Sequence, residues 1–399
     1  MGADNLLVIQ GGGPTPVVNT SLYGVLKEAY QYGKGKIFGA RRGLEGLIQG
    51  NVVNLEALTK SQLERLRRSP GAALGSSRVK PSQADLEKIA HLLGKLDIHW
   101  LLFIGGNGTM RAAHMFSEFF TNKGNHDLRV IGVPKTIDND ISATNRCPGY
   151  ASAARYVAQS ARDLGMDLRS LPQPVSIFET MGRNVGWLAG ASAAGKRTEQ
   201  DAPHLVYLPE VPFEIEKFIS ALDRILEKQG WAVVVVSEGI RDRQGHPIYE
   251  TEEASQADAL RRPLPGGVAH FLAKAVTRDL KVRCRDEKPG LIGRASMLHV
   301  SAQDWIDAEM VGGAGFRALK AGRNDEMVAL TPLDRPGTAD CELVSLASVT
   351  TSDRPIPQEW LCQADIPVNR GFMEYVSPLI GDLLEYDSVV SDMELYGNA

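Results

Sequence analysis

The stretch 101–120, LLFIGGNGTMRAAHMFSEFF, decides the fold of this chain. Its first four residues form an apolar run, which is typical of a strand buried on both faces of a parallel sheet. The glycines that follow predict a tight loop, and the residues from Arg111 to Phe120 predict an amphipathic helix. A strand, a glycine loop and a helix in this order indicate one unit of an α/β fold.

The same order of elements recurs along the chain. Further strands are predicted at 6–9, 130–133 and 232–236, and further helices at 17–32, 83–96 and 213–228. This alternation predicts an α/β architecture with right-handed crossovers, in which ligands bind at the carboxyl ends of the strands. The polar segment 241–267, rich in proline and glycine, is expected to form a long surface excursion.

Length and composition restrict the class of protein. A chain of 399 residues is long enough for two domains. A net charge of −4 favours neither nucleic acid nor an anionic membrane as a partner. The four cysteines are far apart in sequence, which argues against disulfides and structural zinc and favours a reducing compartment. Residues 1–9 have no signal-peptide pattern, so we expect a cytoplasmic protein.

Two glycine loops are candidates for binding phosphate. One is Gly11-Gly12-Gly13-Pro14-Thr15, and the other is Gly105-Gly106-Asn107-Gly108-Thr109. Glycine lets the backbone approach a phosphate closely, and the N-terminus of the next helix supplies amide donors. Either loop could instead be a simple tight turn. An acidic residue in such a loop often holds Mg²⁺, and Asn107 would be a poorer ligand than an aspartate.

A third motif, Pro134-Lys135-Thr136-Ile137-Asp138-Asn139-Asp140, follows a predicted buried strand. Two carboxylates two residues apart are expected to point the same way on an extended segment. One could accept a hydroxyl proton while the other orients a metal. Lys135 offers a positive charge to a phosphoryl group during transfer. The alternative interpretation is an Asx-rich turn without a catalytic role.

Other candidate residues have weaker support from the sequence. Arg78 could bind phosphate from a loop, and Glu238 at a strand end could bind sugar hydroxyls or cap a helix. The loop Met181-Gly182-Arg183 has no distinct meaning by itself. Arg285 and Arg294 lie in a basic stretch that could be a solvated surface.

Together these motifs resemble the phosphofructokinase family, and most closely its pyrophosphate-using branch. The resemblance extends from about Leu6 to about Leu330, and its most specific part is the 134–140 segment. It implies an α/β fold of two Rossmann-like, three-layer domains with the active site in the cleft between them. The expected divisions are a phosphoryl-donor domain at 1–150 with part of about 295–340, a sugar-substrate domain at 151–294, and a C-terminal extension at 341–399 packed on the core.

The resemblance also implies phosphoryl transfer to the C1 hydroxyl of a ketohexose 6-phosphate, with Mg²⁺, by a homodimer or homotetramer. Asp138 matches the catalytic base, and Lys135 and Arg183 match cations near the transferred group. The donor site is matched by Gly13, Arg78, Asn107, Gly108 and Thr109, and the metal site by Asn107 and Asp140. The sugar site is matched by Thr136, Asp138, Met181, Gly182, Arg183, Glu238, Arg294 and Arg285, the last as a contact from a neighbouring subunit.

The donor site departs from the family pattern at two positions. Asn107 replaces the family's usual metal-binding aspartate. Pyrophosphate users typically carry aspartate at position 108 and lysine at 135, whereas ATP users carry glycine at 108 with glycine or lysine at 135. Gly108 leaves room for a nucleotide, so ATP is the expected donor and pyrophosphate is the alternative.

The pocket for the sugar 6-phosphate also departs from the pattern. Pro174 stands where the family has arginine or lysine, and Leu291 where it has histidine or tyrosine. Charge-assisted phosphate contacts contribute about 1.5–3 kcal/mol each. The acceptor could therefore be a 6-sulfonate such as 6-deoxy-6-sulfofructose, which carries one negative charge rather than two. Alternatively it is fructose 6-phosphate, with His299 or Arg146 compensating.

Two readings from other classes remain open at this point. The Gly-Gly-x-Gly-Thr loop is shared with NAD kinases and lipid kinases, but those families lack the 134–140 segment. A non-catalytic sensor of sugar phosphate or nucleotide is suggested by Asn107. Retention of Asp138, Asp140, Lys135 and Arg183 argues against a sensor, because binding alone does not require a base.

Overall fold

The computed structural model describes residues 4–170, 174–249 and 267–386. The strands in these residues are β1 (Asn5–Gln10), β2 (Ile37–Ala40), β3 (Val52–Asn54), β4 (Ile98–Gly105), β5 (Arg129–Pro134), β6 (Val175–Thr180), β7 (Leu205–Tyr207), β8 (Ala232–Ser237), β9 (Cys284–Glu287), β10 (Glu326–Leu330) and β11 (Cys341–Ser345). The helices are α1 (Val18–Tyr32), α2 (Gly43–Ile48), α3 (Lys60–Arg67), α4 (Gln83–Lys95), α5 (Asn107–Asn122), α6 (Tyr150–Ser170), α7 (Trp187–Ala191), α8 (Ile215–Gln229), α9 (Val268–Leu280), α10 (Leu291–Ala295), α11 (Ala302–Lys320), α12 (Leu346–Val349) and α13 (Arg370–Ile380). The predicted strands and helices are confirmed within a few residues. Most of the predicted excursion at 241–267 lies outside the described residues.

The described strands form two sheets. The larger has the order β11-β10-β5-β4-β1-β2-β3, and the smaller has the order β7-β8-β6-β9. The five inner strands of the large sheet are parallel, whereas β3 and β11 pair antiparallel at its edges. All pairs in the small sheet are parallel. Parallel strands direct their carboxyl ends to one edge of a sheet, where the loops can build a ligand site.

Both sheets are covered on two faces, as their continuous apolar strands predicted. Along β1, Leu7 and Ile9 pack in one core with α4 and α5, and Leu6 and Val8 pack in another with α1 and α11. This alternation follows from the two-residue period of a strand. In the small sheet, the valines of β8 alternate in the same way between α6 with α7 on one face and α8 with α9 on the other. The result is two three-layer α/β units.

The C-terminal part belongs to both units rather than lying apart from them. Strand β11, at the start of the predicted extension, is the antiparallel edge of the large sheet. Helix α13 packs through Phe372, Val376 and Leu379 into the core that contains α6 and α7. The chain from β11 to α13 therefore runs from one unit to the other. No helix among the described residues is both long enough and apolar enough to span a membrane.

Candidate active site

The candidate active site is built where strands of both sheets end. Strands β1, β4 and β5 of the large sheet lead into the first glycine loop, the second glycine loop and the 134–140 segment. Strands β6 and β8 of the small sheet lead into the Met181-Gly182-Arg183 loop and Glu238. The sequence-predicted residues of the two units thus come from loops at the carboxyl ends of parallel strands.

Positive charge gathers around the first glycine loop. The Lys135 ammonium donates to the carbonyl oxygen of Gly13 at 2.6 Å and is almost fully buried. A Cβ atom on Gly13 would lie only 3.1 Å from Nη1 of Arg294, which therefore lies against the same loop. Burial and the nearby Arg294 lower the pKa of Lys135 to about 8, although Asp138 acts in the opposite direction. Burial and the positive charge of Arg78 lower the pKa of Arg294 as well. Such a loop is suited to an anionic ligand.

Asp138 faces this positive group and the small sheet at the same time. Burial raises its pKa, and so does the charge of Glu238, whereas Lys135 and Arg294 lower it. A carboxyl group with a raised pKa is a stronger base once it is ionised, which suits proton abstraction near neutral pH. The geometry thus brings a potential base and several cations together.

The 134–140 segment is not extended as the sequence analysis expected. It bends after Thr136, and Asn139 has a φ of 58°, in the left-handed region. The Asn139 side chain stabilises this turn because it donates to the Tyr375 hydroxyl at 2.8 Å and accepts from the Cys147 amide at 3.0 Å. The Asp138 amide donates to Oγ1 of Thr136 at 3.1 Å. As a result, the two carboxylates have different neighbours.

Asp140 belongs to a separate group of oxygen atoms around Asn107. The Asn107 amide donates to Oδ2 of Asp140 at 3.0 Å and to Oδ1 of Asp353 at 3.0 Å. Burial raises the pKa of Asp140, and the charges of Asp138 and Asp353 raise it further. The other side-chain oxygens of Asn107 and Asp140 are buried without a hydrogen-bond partner among the described residues. Unsatisfied buried oxygens at a site are unusual and need an explanation.

The small sheet contributes a carboxylate with a raised pKa. Burial and the neighbouring Glu179 raise the pKa of Glu238 to about 7, although the Gly182 amide, Lys288 and Arg183 lower it. Gly182 has a φ of 130°, and a Cβ atom there would lie 2.6 Å from the Val185 carbonyl oxygen. Only glycine fits this turn, which holds the Met181-Gly182-Arg183 loop against the loop that carries Glu238.

The remaining predicted residues have distinct surroundings. Met181 packs partly buried against the core of the small-sheet unit. Thr109 is buried, and its hydroxyl packs so closely on Gly11 and Gly105 that a side chain at either glycine would clash with it. A Cβ atom on Gly108 would have no atom within 4 Å among the described residues beyond its own helix. Arg285 is exposed on the edge strand β9, so its predicted contact with a neighbouring subunit stays a prediction.

Comparison with known proteins gives the family. The profile described as phosphofructokinase matches residues 5–319. The chain belongs to the phosphofructokinase family. Its relatives include a pyrophosphate–fructose 6-phosphate 1-phosphotransferase of Xanthomonas campestris pv. campestris (strain B100), 33% identical over 94% of this chain and 91% of that protein. They also include a sulfofructose kinase of Alkalicoccus urumqiensis, 36% identical over 80% of this chain and 82% of that protein.

The fold agrees with solved structures of phosphofructokinases. The pyrophosphate-dependent phosphofructokinase of Marinobacter aquaeolei superposes with a TM-score of 0.84 at 27% identity, covering 96% of this chain and 94% of that one. The expected fold of two α/β domains is therefore confirmed. Since these relatives are sugar phosphotransferases, the protein is an enzyme that transfers a phosphoryl group to an alcohol.

Of the two residues suggested as compensating phosphate contacts, Arg146 is engaged elsewhere, whereas the role of His299 stays a prediction. Arg146 is fully buried and forms a two-point ion pair with Asp307, at 2.7 and 2.8 Å, which leaves it no role at the surface of a sugar pocket. The His299 ring packs edge-on against Tyr156, with centroids 5.0 Å apart, and bonds to Ser296. The idea that Arg146 replaces a missing phosphate ligand is wrong, because its charge is already neutralised.

The sequence analysis missed the contribution of the C-terminal part to the site. Asp353 and Arg354 lie directly on the Asp138–Asp140 turn, and Asn184 donates to Oδ2 of Asp353 at 2.8 Å. Asp353 and Arg354 belong to no recognisable motif, and more than two hundred residues separate them from Asp140 in the sequence. Nothing in the local pattern of the Thr351-Ser352-Asp353-Arg354 stretch indicates this position.

Proposed function

We propose that the protein transfers a phosphoryl group from Mg-ATP to the C1 hydroxyl of fructose 6-phosphate or of an analogue substituted at C6. The observation that carries the proposal is the surroundings of Asp138: a carboxyl group with a raised pKa, facing Lys135 and Arg294 beside the first glycine loop. Phosphoryl transfer needs a positioned acceptor and neutralisation of charge more than covalent catalysis. This arrangement supplies both.

In the proposed mechanism, Asp138 accepts the proton of the C1 hydroxyl as that oxygen attacks the terminal phosphorus of ATP, whose bond to the bridging oxygen breaks and releases ADP. Lys135 and Arg183 offset the negative charge that develops on the transferred group. Glu238 binds sugar hydroxyls from the opposite side of the cleft, together with the Met181-Gly182-Arg183 loop. The first glycine loop, with Arg78 nearby, receives the phosphates of the donor, and Arg294, which lies against that loop, contacts the sugar substrate.

The residues present fit a magnesium ion. Among the described residues, no group of three or more histidine, cysteine, aspartate or glutamate side chains is arranged to hold a metal. Mg²⁺ does not require such a cage, since it usually keeps several waters and binds one or two carboxylates plus the phosphates of the substrate. The unpaired buried oxygens of Asn107 and Asp140 are suited to it, and these residues would hold it. The ion would neutralise phosphate charge when bound.

The open space beside Gly108 supports ATP as the donor. ATP is larger than pyrophosphate and needs space beyond its terminal phosphates. Among the described residues outside the local helix, no atom lies within 4 Å of the position of a Cβ atom on Gly108, so such space exists there. Lys135, a residue found in both branches of the family, does not separate them. Pyrophosphate is the second candidate, favoured by the 33% identity to the Xanthomonas enzyme.

The C6 group of the acceptor has two candidates. Fructose 6-phosphate is the acceptor named in the Xanthomonas relative. Pro174 and Leu291 favour 6-deoxy-6-sulfofructose, because they remove a cation and a polar donor from the expected phosphate pocket. The relation to a sulfofructose kinase at 36% identity agrees with this second candidate.

A homodimer or homotetramer is part of the same proposal. Three apolar side chains are exposed around Arg294: Leu291, Ile292 and Leu298, with 64%, 70% and 93% of their surface accessible. Exposed apolar side chains in one group favour burial against a partner. A second copy on this face would also bring its own residues, such as Arg285, toward the sugar pocket.

The test crosses donors with acceptors and adds one variant. The wild-type enzyme is assayed with ATP and with pyrophosphate, each against fructose 6-phosphate and 6-deoxy-6-sulfofructose. Asp138→Asn should lower kcat by roughly 10²–10⁴-fold, the usual contribution of a general base, with little change in the Kd of the sugar. Asp365→Asn, an exposed carboxylate paired with Arg224, is the matched control. If the wild type binds sugar or nucleotide and turns over no pair, the sensor interpretation replaces this one.

A further inference from the structure

Asp353 lies where the second glycine loop of the large sheet meets the small-sheet unit. Its carboxylate accepts from the side-chain amide of Asn107 at 3.0 Å and from that of Asn184 at 2.8 Å. Two neutral donors from the two units therefore hold one carboxylate. Both donors are uncharged amides, so neither contact offsets the negative charge of Asp353.

The backbone around Asp353 is fixed on the Asp138–Asp140 turn. Asp353 forms an antiparallel bridge with Ile141, and the Arg354 amide donates to the Asp140 carbonyl oxygen at 2.9 Å. The Arg354 guanidinium stacks on Trp187, 4.4 Å from the ring centroid, and its carbonyl oxygen accepts from the indole N–H at 3.0 Å. A carboxylate on such a rigid anchor is held in one position relative to Asp140.

The carboxylates of Asp140 and Asp353 thus meet at the side-chain amide of Asn107. Both carboxylates accept from the same side-chain amide of Asn107, at 3.0 Å each, so two negative groups lie close together and repel each other. The unpaired buried oxygens of Asn107 and Asp140 are a second and independent sign that a cation completes the group. A divalent cation would offset the repulsion and satisfy both oxygens.

We infer that Asp353 supplies the second carboxylate of the metal site, in place of the aspartate that position 107 lacks. The carboxylate reaches the site from the C-terminal part of the chain, while the glycine loop keeps a neutral amide that orients it. The inference rests on the proposed function only in that the metal accompanies a phosphate donor. It makes the C-terminal part a component of the active site and not only an extension packed on the core.

The test measures metal binding directly, with Mn²⁺ as the probe. Free Mn²⁺ is titrated by electron paramagnetic resonance in the wild type, Asp353→Asn, Asp365→Asn and the double variant Asn107→Asp/Asp353→Asn, with and without pyrophosphate. Asparagine at 353 keeps an oxygen that can accept from Asn107 but loses the contact with Asn184, and the double variant, which has the same loss, separates it from the loss of a ligand. Asp353→Asn should weaken Mn²⁺ binding by at least about 10–100-fold, because removal of a group that only supports a metal ligand already has that effect.

The double variant moves the carboxylate to the loop and decides between a metal role and a structural one. It should recover most of the Mn²⁺ affinity lost in Asp353→Asn, whereas Asp365→Asn should bind like the wild type. Wild-type affinity in Asp353→Asn, or a double variant no better than it, overturns the inference. Thermal unfolding of each variant without metal checks that the fold is kept. A wild type that binds Mn²⁺ but phosphorylates no sugar would defeat the proposed function and leave this inference standing.

Discussion

Gly108→Asp would place a carboxylate at the second position of helix α5, beside the proposed donor phosphates. The structure predicts that the protein tolerates the change. Gly108 is not among the residues with positive φ, and its Cβ atom would meet no atom within 4 Å among the described residues outside the helix. An acidic residue in the first turn of a helix stabilises it by about 0.3–1 kcal/mol.

The effect on ATP follows from charge repulsion. If the new carboxylate stands about 5 Å from the α-phosphate, two unit charges repel by about 3 kcal/mol at an effective dielectric constant of about 20. That energy corresponds to a loss of roughly a hundredfold in kcat/KM for ATP. Pyrophosphate has no α-phosphate or adenosine beyond its two phosphates, so its kcat/KM should change much less.

The assay compares kcat/KM for ATP and for pyrophosphate in the wild type, Gly108→Asp and Gly108→Ala. Alanine adds the methyl group without the charge and should leave ATP use nearly unchanged, because the space around the Cβ atom is open. If Gly108→Asp uses ATP as well as the wild type does, the nucleotide does not pass this position and the reasoning about the donor fails.

Two further predictions concern the charge of Lys135 and the C6 pocket. Since the pKa of Lys135 is lowered to about 8, its positive charge is lost as pH rises through that value, and kcat/KM should fall on the alkaline side. Lys135→Arg should move this limb to higher pH, and an unchanged limb would assign it to another group. Leu291→His should raise kcat/KM for fructose 6-phosphate relative to 6-deoxy-6-sulfofructose by about tenfold, the lower range for a hydrogen bond to a charged group. Val53→His, at an exposed apolar residue on the edge strand β3, is the control and should leave the ratio unchanged.

Much of the fold could be predicted because its strands are buried on both faces. The four predicted strands correspond to β1, β4, β5 and β8, and the glycine loops follow β1 and β4 as expected. The edge strands were harder to recognise. Strand β3 has only three residues, and β11 is mostly half-buried or exposed, so neither has the apolar run that identifies an inner strand.

The candidate site was predictable where a motif is contiguous and not where distant segments meet. Asp138, Asp140 and Lys135 share one segment, and Glu238 follows a strand, so their types and spacing indicate chemistry. The turn at Asn139 was missed, because it depends on bonds to Tyr375 and Cys147 from other parts of the chain. Arginine is a common phosphate ligand, so the sequence suggested this role for Arg146, but the structure buries its side chain in an ion pair with Asp307.

The sequence by itself determined the family, the α/β class and the loops that follow the carboxyl ends of the strands. These features depend on local patterns of apolar residues, glycines and acidic groups. Only the tertiary structure brought Asp353 to Asn107 and gave Asp138 and Asp140 different hydrogen-bond partners. The physical reason is that the charge and pKa of a side chain depend on what lies within a few ångströms of it. Those neighbours come from segments that the order of residues along the chain does not relate.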